Sequence, residues 1–182
     1  MADKEILLLL YFSLFCFCHT SKVYTQLKQG DRLSFSDQLV STNRLYALGF
    51  SRKYLVINCT YKDELSYHPV WPANRDKPII GNSDVLAIDD VGKLIITHSG
   101  GQIELYSGKS ASTENLTAVL ENNGNFVLKA NSGCQTQILW ESFDNPTHTL
   151  LPGMKLGFNR KTCSLTSWLD EENPMPGGFT ME

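Results

Sequence analysis

The sequence contains no apolar run long enough to cross a bilayer as a helix. Its longest such run, Ile6–Phe17 (ILLLLYFSLFCF), has 12 residues, whereas a membrane-spanning helix needs about 20. A run of this length is typical of the apolar segment of a secretory signal peptide, although a buried strand or helix is the alternative. We therefore predict a signal peptide over residues 1–22, and a secreted chain or one on the extracellular side of the plasma membrane.

The sequence also lacks an excess of charge of either sign. It has 16 basic and 19 acidic side chains, which give a net charge of −3, and they are spread without long runs. Proteins that bind nucleic acids or anionic membranes usually carry clusters of positive charge. We therefore expect no nucleic-acid partner.

Recognisable catalytic and metal-binding patterns are missing as well. There is no C-x-x-C pair, the four histidines share no spacing typical of a metal site, and no G-x-S-x-G sequence of a hydrolase is present. We expect no catalytic residue, no metal site and no cofactor.

Cysteines are few. Two of the five lie in the predicted signal peptide, which leaves Cys59, Cys134 and Cys163. An odd number in an oxidising compartment favours one disulfide and one free thiol, and all three pairings stay open. Two glycosylation sequons, Asn58-Cys59-Thr60 and Asn115-Leu116-Thr117, predict N-linked glycans at Asn58 and Asn115.

An internal repeat is the strongest signal that the sequence does contain. Val85–Thr97 (VLAIDDVGKLIIT) and Thr117–Lys129 (TAVLENNGNFVLK) are 32 residues apart and have matching apolar runs on either side of a glycine turn. Each predicts a β-hairpin, and Asn123-Gly124 favours a type I′ turn. Like units repeated at a fixed period predict a shared core. The residues expected to point into it are Ile88, Leu94, Ile96, Leu120, Phe126 and Leu128.

The rest of the chain also favours β-structure. We predict a hairpin over Asp37–Phe50 with its turn at Ser41–Arg44, because turn residues there separate two apolar segments. Loops are expected at Tyr61–Tyr67 and Ser107–Glu114. Further strands are expected at Tyr54–Ile57, Ile103–Tyr106 and Ile138–Phe143, and the aromatic residues expected to anchor the core are Trp71, Trp140 and Phe143.

Three longer blocks carry a family resemblance. VWPANRDKPI (Val70–Ile79), LWESFDNPTHTLLPGMKLG (Leu139–Gly157) and LTSWLDEENPMPGGFTME (Leu165–Glu182) resemble segments of plant S-locus glycoproteins and of G-type lectin S-receptor-like serine/threonine kinases. The N-terminal module of that family is similar to the bulb-type mannose-binding lectins. The kinase motifs themselves, a glycine-rich nucleotide loop, H-R-D and D-F-G, are absent from this sequence.

The resemblance implies an all-β fold, a β-prism of three small antiparallel sheets related by a pseudo-threefold axis. The lectin domain is expected over residues 23–150. Residues 151–182 resemble the start of a second lectin-like module, and we expect them to be poorly ordered because their strands lack partners. The implied function is recognition at the cell surface, either of mannose-type glycans or of a protein or peptide ligand or another receptor ectodomain.

Bulb-type lectins bind mannose through the motif Q-x-D-x-N-x-V-x-Y, so the resemblance also implies site residues. In the second repeat these are Glu121, Asn123, Asn125, Val127 and Lys129, of which Asn125 and Val127 agree with the motif. Side chains two apart in a strand share one face, so alternate polar groups can meet neighbouring sugar hydroxyls. The Asn-Gly-Asn sequence, however, is also what a tight turn requires.

The first repeat fits the motif poorly. Its matching residues are Asp89, Val91, Lys93, Ile95 and Thr97, and only Ile95 is a comfortable substitute. Val91 replaces a polar residue and removes a hydrogen bond that contributes about 0.5–1.5 kcal/mol. We therefore expect the candidate site of the first repeat to be degenerate.

Overall fold

The computed structural model describes residues 21–60, 67–81, 84–108, 115–155 and 164–181. Strands dominate these ranges, and their only helical element is a single 3-10 turn, Ser142–Asp144. The strands are β1 (Val23–Tyr24), β2 (Leu27–Lys28), β3 (Arg32–Ser34), β4 (Gln38–Val40), β5 (Tyr46–Ser51), β6 (Tyr54–Thr60), β7 (Tyr67–Pro72), β8 (Val85–Ile88), β9 (Leu94–His98), β10 (Gly101–Tyr106), β11 (Leu116–Leu120), β12 (Phe126–Ser132), β13 (Gln135–Glu141), β14 (Leu165–Asp170) and β15 (Asn173–Met181).

Three sheets enclose one core. Sheet A has the order β1-β4-β5-β6-β7, sheet B has β2-β11-β12-β13, and sheet C has β3-β8-β9-β10. All pairings in them are antiparallel except that of the short edge strand β1 with β4. The all-β, β-prism prediction is confirmed.

The six residues predicted to fill the core do so. Ile88, Leu94, Ile96, Leu120, Phe126 and Leu128 are each 3% exposed or less and belong to one apolar cluster. They come from the two repeated hairpins, which form β8–β9 in sheet C and β11–β12 in sheet B. Burying a side chain of this size stabilises the fold by about 1.5–3 kcal/mol, so the repeats supply much of the core.

Residues 27–39 join all three sheets, and the sequence analysis predicted only the last of their strands, β4, within the hairpin over Asp37–Phe50. Leu27 in β2, Leu33 in β3 and Leu39 in β4 enter sheets B, C and A respectively, and all three are fully buried. They are spaced six residues apart, with a polar turn between each pair.

The two turns in this segment share one construction. The Lys28 N–H donates to Asp31 Oδ2 at 2.8 Å, and the Ser34 N–H donates to Asp37 Oδ2 at 2.9 Å. Each aspartate N–H in turn donates to the carbonyl of the same residue. An aspartate at the last turn position thus closes each corner before the chain enters the next sheet.

The turn of the second repeat is not type I′, so that prediction is wrong. A type I′ turn needs positive φ at both central residues, whereas only Gly124 has it here, with φ +87°. The Gly124 N–H donates to the Glu121 carbonyl at 3.0 Å. A Cβ on Gly124 would lie 2.9 Å from Leu151 Cδ1 and 2.9 Å from Tyr46 Cε1, so close packing also requires glycine. Gly92 of the first repeat has the same geometry, with φ +85°.

The aromatic residues predicted as anchors pack at the core. Trp71 is 4% exposed, and Trp140 and Phe143 are partly buried against the same cluster. The Trp71 and Trp140 rings meet edge to face with centroids 6.0 Å apart. They occupy equivalent places, opposite Ile57 in sheet A and Leu128 in sheet B. Trp71 lies in β7, a strand that the sequence analysis did not predict.

The end of the described chain forms a hairpin of β14 and β15, called the terminal hairpin below. The expectation that residues 151–182 are poorly ordered is therefore wrong for 164–181, whose strands pair with each other. A two-stranded hairpin is marginal alone, but this one is anchored by Arg75, whose side chain is buried. The Arg75 guanidinium donates to the carbonyls of Ser167 and Pro174 in the hairpin and of Thr147 in the prism.

The boundary between the two predicted domains falls in packed structure. Leu151, the first residue after it, is 8% exposed and belongs to the core cluster, and Met154 packs against that cluster. The core of the prism thus extends at least to Met154.

Candidate functional site

The residues of the second repeat lie on the outer face of sheet B. Thr117 pairs with Lys129 and Val119 with Val127 across β11 and β12, so these side chains point away from the core residues between them. On the other side of β12, Glu141 pairs with Val127. The outer face of sheet B therefore carries side chains from the end of the glycine turn and from the middle of the strands.

The Asn125 side chain is buried and makes hydrogen bonds to other residues of the protein. It is 4% exposed, and its Nδ2 donates to Glu141 Oε2 at 2.6 Å. Its Oδ1 accepts from Ser142 Oγ at 3.1 Å and from the Phe143 N–H at 3.2 Å. The amide thus ties the repeat to the 3-10 turn, and both of its polar atoms already have partners within the protein.

The remaining four residues differ in accessibility. Glu121 Oε1 and Lys129 Nζ form an ion pair of 2.7 Å, with side chains 35% and 25% exposed. Val127 is fully buried. Asn123 is exposed, and its Oδ1 accepts the Asn125 N–H at 3.0 Å. Glu121, Asn123 and Lys129 are therefore the members that a ligand can reach.

In the first repeat, on sheet C, the aspartate serves the turn. Asp89 Oδ1 accepts the N–H groups of Val91 at 3.0 Å and Lys93 at 2.8 Å. Val91 is 59% exposed and offers no hydrogen bond from its side chain. The carboxylate is therefore committed to the backbone at the place where the motif needs a polar group.

The other side chains of the first repeat are also committed to contacts within sheet C. Lys93 Nζ pairs with Glu104 Oε1 at 3.0 Å. Ile95 is 8% exposed, and Thr97 Oγ1 lies 3.4 Å from the Val85 carbonyl. Of the motif positions Asp89, Val91, Lys93 and Ile95, the two polar ones, Asp89 and Lys93, are both bonded within sheet C.

Two glutamates face these surfaces and were missed from the sequence. Glu104 in β10 pairs with Ile95, and Glu141 in β13 pairs with Val127, so they occupy equivalent places in sheets C and B. Each contacts a motif residue, Lys93 or Asn125. Their signal in the sequence is a glutamate in the strand that follows each repeat.

The outer face of sheet A is covered by the chain itself. A groove of about 480 Å³ lies between Tyr54, Val56 and Asn58 of the sheet and Trp168 and Pro174 of the terminal hairpin. An ion pair of 2.9 Å between Arg52 and Glu172 also joins the two, and Tyr54 Oη lies 3.3 Å from Asn173 Oδ1. The hairpin thus occupies the third of the three outer faces.

A cavity of about 540 Å³ lies elsewhere, between the loop after β7, strand β10 and Trp140. None of the five motif residues of the second repeat lines it. The position of this cavity therefore does not support the sugar-binding residues that the sequence analysis predicted in the second repeat.

The structure excludes one of the three possible disulfide pairings. Cys59 is half-buried and Cys134 exposed, and they are not bonded to each other. The two pairings that involve Cys163 lie outside the described residues, as do residues 1–20 of the predicted signal peptide. Within the ranges that the structure describes, no helix is long and apolar enough to span a membrane.

Comparison with known proteins decides the family. The model of the D-mannose binding lectin family matches residues 68–169, more than half of the chain. The chain belongs to this family. Curated relatives that match most of the chain confirm its predicted resemblance to S-locus glycoproteins and S-receptor-like kinases.

Two relatives illustrate the sequence similarity of this lectin-family chain to known proteins. It is 38% identical to the G-type lectin S-receptor-like serine/threonine-protein kinase CES101 of Arabidopsis thaliana, over 97% of the chain and 22% of the relative. It is 36% identical to the S-locus-specific glycoprotein S6 of Brassica oleracea, over 95% of the chain and 42% of the relative. The chain thus spans about a fifth of the kinase's length and less than half of the glycoprotein's.

Two solved structures of mannose-binding lectins align with the chain. A monomeric mannose-binding lectin from Gastrodia elata aligns with a TM-score of 0.45 and 21% identity, over 64% of this lectin-family chain and 93% of that one. The mannose-specific agglutinin of snowdrop (Galanthus nivalis) aligns with a TM-score of 0.45 and 18% identity, over 62% and 99%.

Proposed function

We propose that this lectin domain is an extracellular recognition module of a receptor-like kinase or of a secreted relative, acting in recognition and signalling at the cell surface. It binds mannose-type glycans weakly, and only at the outer face of sheet B. Family membership and the relatives support the class of function. The polar and partly exposed Glu121, Asn123 and Lys129 support the choice of sheet B.

The observation that carries the low affinity is the position of the Asn125 amide. Both of its polar atoms are already bonded, to Glu141 and to Ser142 and Phe143. A sugar that takes the place of one of these partners removes a bond that contributes about 0.5–1.5 kcal/mol. Lys129 also replaces the tyrosine of the motif, so no aromatic ring closes the edge of the site.

The experiment restores the motif on sheet B. In the triple variant Glu121→Gln, Asn123→Asp, Lys129→Tyr, all five positions follow Q-x-D-x-N-x-V-x-Y. Calorimetric titration with methyl α-mannoside should give millimolar affinity for the wild type and about tenfold tighter binding for the variant, since about 1.4 kcal/mol corresponds to a factor of ten.

The matched control is Lys129→Gln, which breaks the ion pair with Glu121 without adding a ring. It should show no gain in affinity. The proposal fails if the wild type gives no saturable signal at millimolar mannose, or if the control gains as much affinity as the triple variant.

A second candidate is recognition of a protein or peptide ligand, or pairing with another receptor ectodomain. The Glu121–Lys129 ion pair favours it, because fixed opposite charges of this kind suit a complementary protein surface better than a neutral sugar. Binding of such a partner should be insensitive to competing mannose, whereas glycan recognition should be inhibited by it.

A further inference from the structure

The two glycosylation sequons lie in very different surroundings. We propose that the folded protein carries an N-linked glycan at Asn115 and none at Asn58. The inference rests on the export to the cell surface proposed above, because the glycan donor, a lipid-linked oligosaccharide pyrophosphate, is met in the secretory pathway.

Asn58 lies in the middle of sheet A. It pairs with Ala47 of β5 on one side and with Pro69 of β7 on the other. Its side chain is half-buried and lines the groove under Trp168 and Pro174 of the terminal hairpin. A branched glycan at this position has to pass between the sheet and the hairpin.

The terminal hairpin is fixed over Asn58 by contacts at two places. Arg75 donates to the carbonyls of Ser167 and Pro174, and Arg52 pairs with Glu172. The sequon threonine is engaged as well, since Thr60 Oγ1 donates to the Arg44 carbonyl at 2.9 Å. A glycan on Asn58 therefore competes with the docked hairpin for the space over sheet A.

Asn115 lies at the opposite extreme. It is exposed, it immediately precedes β11, and its backbone is in the left-handed region with φ +63°. Among the described residues, neither its side-chain amide nor the hydroxyl of Thr117 has a hydrogen-bond partner. The Asn115 side chain is thus exposed, and Thr117 is half-buried within β11.

The surface beside Asn115 suits a sugar. A cleft of about 520 Å³ is lined by Gln26, Lys28, Thr117 and Asn131, which supply amide, ammonium and hydroxyl groups. These donors and acceptors match the hydroxyl and acetamido groups of N-acetylglucosamine. Lys129 of the candidate site lies opposite Thr117 on the same outer face of sheet B, so a glycan in this cleft borders that site.

The transfer itself is balanced by the donor. A bond forms between Asn115 Nδ2 and C1 of N-acetylglucosamine while the C1–O bond to the lipid pyrophosphate breaks. The pyrophosphate leaves with the electron pair, and the amide proton passes to a base of the transferase.

The experiment uses the full chain expressed in plant cells, with intact masses measured before and after treatment with a peptide N-glycosidase. The wild type from the medium should carry one glycan, mapped to Asn115 by peptide mass spectrometry. Asn58→Gln should leave the mass of the glycan unchanged, and Asn115→Gln should abolish it.

Two further variants exclude a folding defect. Thr117→Val destroys the sequon without changing Asn115 and should abolish the glycan, whereas Thr117→Ser keeps the sequon and should retain it. Secreted protein with a glycan on Asn58, or with Asn115 unmodified, overturns the inference while leaving export intact. Protein found only inside the cells and without a glycan overturns the proposed export as well.

Discussion

His148 lies between the prism and the terminal hairpin. Its ring centroid is 5.0 Å from that of Trp168, its Nε2 is 3.1 Å from the Pro69 carbonyl, and its Nδ1 is 3.2 Å from Thr147 Oγ1. Burial lowers the pKa of His148, the bond to Pro69 raises it, and the nearby Arg75 charge lowers it further. The net effect is a lowered pKa, so folding favours the neutral imidazole.

This lowered pKa predicts a loss of stability in acid. The unfolded chain binds the proton near pH 6.5, whereas the folded state resists it until lower pH. The contribution to the unfolding free energy is therefore complete above pH 6.5 and is lost as the pH falls through the folded pKa. Urea unfolding of the wild type and of His148→Gln between pH 7.5 and pH 4.5 measures it. The wild type should lose more stability than the variant, and parallel curves would contradict the prediction.

Individual site residues could be predicted only in part. The alternation of a strand places Glu121, Val127 and Lys129 on one face, and the structure has this arrangement. The commitment of Asn125 could not be foreseen, because its partners lie 16 to 18 residues away. A tight turn and a sugar site also require the same short polar residues, so local sequence does not separate the two roles.

At the scale of elements, Arg75 is the buried side chain that joins the terminal hairpin to the prism. Arg75 is 8% exposed and bonds to carbonyl groups rather than to a carboxylate. Burial lowers the pKa of Arg75, as expected for a desolvated cation, and the protein retains the charge because several carbonyl dipoles surround it. Removal of this side chain leaves those carbonyls without a donor.

Arg75→Ala should release the terminal hairpin while the prism stays folded. Hydrogen exchange should show protection lost over 165–181 and retained over 116–130, because the core cluster does not include Arg75. The matched control is Arg52→Ala, which removes the exposed ion pair with Glu172. It should leave exchange nearly unchanged, since exposed ion pairs add little stability. Equal loss of protection in both variants, or unchanged protection in Arg75→Ala, would contradict this account.

Strands were predictable where they are long and regular. The two repeats have four to seven residues per strand with clear apolar runs, and both hairpins were found. β2 and β3 have only two or three residues each, too few for periodicity, and were missed. β4 is as short but was predicted, because turn residues separate it from β5. β7 was missed because it contains two prolines, which a strand tolerates only at the edge of a sheet, and β7 lies at such an edge.

The whole molecule has one fold with three different outer faces. The terminal hairpin covers sheet A, the Asp89 carboxylate of sheet C is bound to its own turn, and sheet B keeps three accessible polar side chains. The shared core requires only apolar residues that point inward, so it places no condition on these faces. The apolar pattern therefore predicted the hairpins and their shared core, and the family resemblance implied the prism, while neither showed the state of each face.

The most direct test asks which sheet meets the sugar. Amide chemical shifts of the labelled protein, followed during titration with methyl α-mannoside, report contacts residue by residue. We predict that shifts at the amides of 121–129 grow through the millimolar range while those of 89–97 and of the terminal hairpin stay fixed. Saturable shifts centred on sheet C or the hairpin groove, or an unchanged spectrum throughout, would contradict the account.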